Sequence, residues 1–168
     1  MTISRRWFWA GSGATRSPDL GLGRIRGPIE SHDRGKRLSR ILIVEDRAEN
    51  RVMIREVLEL WGYSVSEAEN GEEALRRLAE VDPDLVLMDL QMPVLDGLSA
   101  LRRIRAGPCR QVPVIAFTAS MQDCDESVML EHGFDGFLAK PVELSVLKRR
   151  VQAFCPLERD KVVDPKDS

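Results

Sequence analysis

Three acidic side chains and one lysine in this sequence stand where short apolar runs end. Glu45-Asp46 follow Ile41-Leu42-Ile43-Val44, Asp89 follows Leu85-Val86-Leu87-Met88, Thr118 follows Val112–Phe117, and Lys140-Pro141 follow Phe137-Leu138-Ala139. If those runs are neighbouring strands, their ends bring the polar groups together. Carboxylates so gathered repel by about 1 kcal/mol per pair at 4 Å in water, and several-fold more in a partly buried cleft. Lys140 supplies one compensating charge. A hard divalent cation supplies two, and Mg²⁺ favours oxygen ligands while keeping positions open for water and phosphate. An aspartate beside such a cation and an ammonium group can attack a phosphoryl group, because positive charge neutralises the oxygens in transit. Asp89 is the nucleophile on this reading, and the Thr118 hydroxyl donates to another phosphoryl oxygen.

Singly, each residue has an ordinary explanation. An acid after an apolar strand is commonly a helix N-cap, which would account for Asp46. Thr118 suits a strand, Lys140 a solvated surface, Asp96-Gly97 a turn before a helix, and Phe137 a core. Their order and shared context carry the reading.

The elements that must position them follow from the pattern after residue 40. Strand-like runs at Arg40–Val44, Tyr63–Ala68, Leu85–Met88, Val112–Phe117 and Phe134–Ala139 alternate with helical periodicity, which predicts a parallel α/β sheet. Only the second run alternates polar with apolar residues, so it is expected at a sheet edge. The first helix spans about Ala48 to Trp61, with Ile54, Val57, Leu58 and Trp61 on its inner face and charge outside. Asn70, three residues before Glu73, starts a second helix that buries Ala74, Leu75 and Leu78. The third runs from Asp96 to Gly107-Pro108 with Leu98, Leu101 and Ile104 inward. A weakly periodic fourth follows Ser120. The last starts at Glu143, faces Leu144, Leu147, Val151 and Phe154 inward, and stops before Pro156. Doubly wound sheets bind ligands at the carboxyl ends of their strands, where these polar residues lie.

Composition bounds the rest. With 43% hydrophobic and 31% charged residues in 168, one soluble domain with tails is expected, and no apolar run approaches the roughly 18 residues of a membrane span. Residues 1–40 hold nine Arg/Lys against three Asp/Glu; subtracting that +6 from the whole-chain −2 leaves −8 for residues 41–168. Such acidity disfavours direct nucleic-acid binding. Residues 1–38 read as a disordered basic arm or as the product of a start codon placed too far upstream, and residues 156–168 as a flexible tail. Ser4-Arg5-Arg6-Trp7-Phe8-Trp9 resembles a twin-arginine export signal, but Ala10-Gly11-Ser12-Gly13 follows where an apolar core should stand. Cys109, Cys124 and Cys155 have no metal-type spacing and are read as reduced cytoplasmic thiols.

Together, Ile41-Leu42-Ile43-Val44-Glu45-Asp46, Leu87-Met88-Asp89-Leu90-Gln91-Met92-Pro93 with Asp96-Gly97, Phe117-Thr118-Ala119 and Phe137-Leu138-Ala139-Lys140-Pro141 resemble the response-regulator receivers of two-component systems. Through Val44-Glu45-Asp46, Asn50-Arg51 and Gln91-Met92-Pro93 the match is nearest to receivers of hybrid histidine kinases, and it covers about residues 39–155. The resemblance implies a flavodoxin-like doubly wound sheet of five parallel strands, order 2-1-3-4-5, with helices on both faces. It implies that Asp89 accepts the phosphoryl group. Asp46 and Asp89 would ligate Mg²⁺ directly, Glu45 through water, and Gln91 by its backbone carbonyl. The Gln91 side chain and Ser120 would tune dephosphorylation. Thr118 and Phe137 would form a switch pair altering the face of helix four, strand five and helix five. The Lys140-Pro141 bond is usually cis in such proteins. A histidine kinase or phosphotransfer protein would be the donor and another protein the recipient. Arg47 departs from the asparagine often found there and is expected to weaken metal binding somewhat.

Two rivals remain. A haloacid-dehalogenase-like phosphatase shares the strand-end aspartate, Mg²⁺, Thr and Lys, but needs a second aspartate where Gln91 stands. A phosphorylation-independent interaction module would use the same surface without the chemistry. The expectation is a switch that is not an enzyme for outside substrates, only for its own phosphorylation and dephosphorylation. A dinucleotide site lacks its Gly-x-Gly-x-x-Gly after the first strand.

Overall fold

The computed structural model describes residues 38–119 and 126–157. Expectations for Ser120, Cys124, residues 1–37 and the end of the tail lie outside the described residues. Five strands, β1 (Arg40–Val44), β2 (Ser64–Ala68), β3 (Leu85–Met88), β4 (Val114–Thr118) and β5 (Gly136–Ala139), alternate with α1 (Ala48–Trp61), α2 (Gly71–Val81), α3 (Gly97–Ala106), α4 (Glu126–Glu131) and α5 (Leu144–Phe154). All pairings are parallel and the order is β2-β1-β3-β4-β5. This is the doubly wound sheet expected, with the alternating run at its edge.

Successive strand residues point to opposite faces, so β1, β3 and β4 feed two cores at once. Leu42, Val44, Val86, Met88, Val114 and Ala116 pack with Ala74, Leu78, Leu101 and Ile104 of α2 and α3. Ile41, Ile43, Leu85, Leu87, Ile115 and Phe117 pack with Ile54 and Leu58 of α1 and Leu147 and Val151 of α5. Burial on both sides explains why these three strands read as continuous apolar runs.

Three strand starts move, each for a local reason. Tyr63 donates its N–H to Leu58 O after Gly62 at φ 103°, closing α1 in a left-handed cap, so β2 starts at Ser64. Val112 N–H bonds Cys109 O in a turn and Pro113 has no N–H to give, so β4 starts at Val114 and runs through Thr118. Phe134 N–H returns to Met129 O, and the Asp135 carboxylate takes the Val114 N–H, leaving β5 to start at Gly136. Among helix positions expected inward, Val57, Trp61, Leu75, Leu98 and Phe154 are only half-buried. Leu144, the first residue of α5, is 56% exposed. Val142 and Val146 pack against the core instead.

Candidate metal centre at the strand ends

Strand register sets the site. Val44 pairs with Met88 and Met88 with Ala116, so Glu45 and Asp89 leave the sheet side by side. Their backbones remain in the ladder, Asp89 N–H to Val44 O at 2.8 Å and Glu45 N–H to Ala68 O at 3.1 Å. Thr118 pairs with Ala139, and Lys140 N–H bonds Thr118 O at 2.8 Å, which brings the lysine to the same edge. One carboxylate oxygen from each of Glu45, Asp46 and Asp89 lies within 4.8 Å of the others.

Lys140 joins the two buried acids. Its Nζ donates to Glu45 Oε2 and to Asp89 Oδ2, and lies 4.7 Å from the centroid of the Phe117 ring. The aromatic face beneath the ammonium is a second attraction that the sequence did not announce. Glu45 and Asp89 side chains are 1% and 9% exposed, that of Lys140 15%. In so dry a place an unpaired carboxylate would be expensive, and every oxygen of these two has a donor. Asp89 Oδ1 accepts the Gln91 N–H at 3.0 Å. Glu45 Oε1 accepts Asn50 Nδ2 at 3.1 Å and the Arg47 N–H at 3.3 Å. Asp46 is exposed, and Arg47 rather than Asp46 is the N-cap of α1, with no side-chain capping bond. The helix-cap explanation of Asp46 therefore falls.

Close packing holds the β3–α3 turn against this edge. A Cβ on Gly97 would lie 2.2 Å from Asp89 O, so only glycine lets α3 start there; its N–H bonds Leu90 O at 3.0 Å. Asp96 caps α3, accepting the Ser99 N–H at 2.8 Å, and that bond holds its carboxyl below the ordinary aspartate range. Val94 in the same loop has φ 70°, a left-handed conformation strained for a β-branched side chain.

Thr118 is buried at the end of β4 and Phe137 half-buried on β5, packed on the core shared with α2 and α3. The Lys140-Pro141 bond is cis. Gln91 has an exposed side chain. Arg51 was legible only as part of a resemblance: on the helix face read as charged and outer, it is buried. Its Nη1 donates to Glu45 O at 2.7 Å and its Nη2 to Glu69 Oε1 at 3.0 Å.

The donor set suits a hard cation. Among the described residues three carboxylates face one ammonium, leaving net negative charge, and the carboxylate donors are all oxygens. Exposed Asp46 leaves one side open to water or phosphate, as Mg²⁺ requires.

Comparisons agree with this geometry. The model of the response regulator receiver domain matches residues 41–152. The transcriptional regulatory protein PrrA of Mycobacterium leprae is 39% identical over 121 residues, 72% of this chain and 52% of that protein. A two-component response regulator of Oryza sativa subsp. japonica, ORR41, is 42% identical over 111 residues, 64% and 87% of the respective lengths. The chain spans about half the length of several transcriptional regulators that it matches. Among solved structures, the receiver domain of sensor histidine kinase PA1611 from Pseudomonas aeruginosa PAO1 has a magnesium ion coordinated in its active-site cleft. It matches with TM-score 0.65 at 38% identity, covering 71% of this chain and 98% of that one.

Proposed function

The chain belongs to the response regulator receiver family, and on that premise we propose that it is a phosphoacceptor switch in which Asp89 takes a phosphoryl group from a phosphohistidine donor. A carboxylate oxygen of Asp89 forms a bond to phosphorus as the phosphorus–nitrogen bond of the donor breaks, and the imidazole nitrogen keeps that electron pair. The observation that carries the reading is the meeting of Glu45, Asp46, Asp89 and Lys140 at the carboxyl ends of β1, β3 and β5.

Each residue has a part. Asp46, Asp89 and the Gln91 carbonyl would hold Mg²⁺, with Glu45 acting through water. The metal, when bound, supplies charge neutralisation on the transferring oxygens. Lys140, already on Asp89, stays with the new acyl phosphate by pairing with a phosphoryl oxygen. Thr118 at the end of β4 donates its hydroxyl to another. Its movement lets Phe137 turn inward, which alters the face of α4, β5 and α5 that a partner protein reads. Gln91 and Ser120 govern how readily water reaches the acyl phosphate.

A histidine kinase or histidine phosphotransfer protein is the donor, and the output is protein binding rather than direct contact with nucleic acid, given the −8 of residues 41–168. Turnover of outside substrates is not expected, because Gln91 stands where a phosphatase of the dehalogenase type needs an aspartate. A cytoplasmic setting follows from that donor. Separately, no helix of the described residues is long and apolar enough to cross a membrane. Beryllofluoride with Mg²⁺ should raise the melting temperature of the wild type and leave Asp89→Asn unmoved. Equal stabilisation of both, or of neither, would contradict the proposal.

A further inference from the structure

We propose that Asn50 and Arg51, in the first turns of α1, are positioning residues that set the metal affinity of the strand-end site by fixing Glu45. The inference rests on reading that site as a Mg²⁺ site. Its grounds are separate, because neither residue is expected to touch the metal.

Glu45 is held at three points. Its side chain is 1% exposed, and both carboxylate oxygens are engaged, Oε2 by Lys140 and Oε1 by Asn50 Nδ2 at 3.1 Å and the Arg47 N–H at 3.3 Å. Its backbone carbonyl accepts Arg51 Nη1 at 2.7 Å. Arg51 carries that restraint to the neighbouring strand through Glu69 Oε1 at 3.0 Å and Glu67 Oε2 at 3.8 Å. The turn leaving β1 is thereby tied to the end of β2.

A residue three positions into a helix ordinarily turns its side chain back to an orphan N–H or out to water. Asn50 instead spends a donor on a buried carboxylate. A free glutamate must give up side-chain rotamers to meet a hydrated cation, and a glutamate already held by its neighbours has given them up in advance. Without Asn50, Oε1 keeps only the longer Arg47 bond and the carboxylate can swing about its remaining contact with Lys140. With lysine at position 51, one ammonium must replace a planar fork that serves a carbonyl and two carboxylates from different directions, which its geometry does not allow.

Calorimetric titration of the full chain with MgCl₂, beside metal-free melting curves, tests this. Asn50→Ala should weaken Mg²⁺ binding about tenfold, the scale on which groups that orient metal ligands act. Arg51→Lys should weaken it by a smaller factor while melting as a folded protein. Arg55→Ala, also on α1, breaks a 3.2 Å ion pair with Glu67 of β2 without touching Glu45, and should bind Mg²⁺ as the wild type does. Wild-type affinity in both Asn50→Ala and Arg51→Lys, or an equal loss in Arg55→Ala, would overturn the proposal while leaving the metal site standing. A wild type that takes up no Mg²⁺ would overturn both.

Discussion

Lys140 decides the charge balance at the strand ends. Among the described residues it is the one ammonium joined to Glu45 and Asp89, and its removal leaves two buried carboxylates facing each other beside Asp46. Breaking a buried ion pair from one side is destabilising by roughly 3–5 kcal/mol. Lys140→Met should therefore lose about 3 kcal/mol in urea unfolding with chelator present, within that range. Mg²⁺ should restore part of the loss, and a stability unchanged in chelator would show that the lysine does not offset acid repulsion. Glu45, Asp46, Asp89, Thr118 and Lys140 were legible because each follows an apolar run, so a strand reading locates them together. Arg51 was not, since a charged residue on an amphipathic helix reads as solvent-facing, and its partners lie just past β1, on β2 and just past β2, which sequence spacing does not relate. The Phe117 ring beneath Lys140 escaped notice for the same reason.

The β3–α3 junction carries its own tests at the scale of the element. Gly97→Ala sets a methyl group against the Asp89 carbonyl, a backbone atom that cannot yield. It should lower stability by about 2 kcal/mol or more in denaturant unfolding, as overpacking does. Asp96→Ala removes the cap of α3 and should lose about 1 kcal/mol near neutral pH. Its pH dependence has a definite sign. The Ser99 N–H lowers the folded-state pKa of Asp96, so the stabilisation is present above the unfolded value near 3.9 and is lost as pH falls through the folded value. The gap between wild type and Asp96→Ala should accordingly narrow below about pH 4 and stay level above it; a gap that widens in acid would contradict the capping assignment. Helix caps at Asn70 and Asp96 were legible from residue type alone. The starts of β2, β4 and β5 were not, because apolar residues that suit a strand are taken into turns by backbone bonds, Tyr63 to Leu58 O and Val112 to Cys109 O, and Asp135 is held to β4 across a distance in sequence. Leu144 shows the same limit, since helical period marks an apolar face but not which of its end residues reach the core.

At the scale of the whole molecule, the sheet order places four reactive strand ends in a row. The five-stranded architecture was legible from continuous apolar runs on β1, β3 and β4 and an alternating one on β2; the strand order came with the family resemblance and is the order observed. The family match at residues 41–152 falls within the region where the α/β pattern holds. A chain lacking residues 1–37 should bind Mg²⁺ with unchanged affinity in calorimetry, and a several-fold loss would assign the basic segment a part in the site. The most direct measurement is intact mass after incubation with acetyl phosphate. Wild type should gain the mass of one phosphoryl group only when Mg²⁺ is present, and Asp89→Asn should gain none. Uptake by Asp89→Asn equal to that of the wild type, or no uptake by the wild type with Mg²⁺, would contradict Asp89 as the phosphoacceptor.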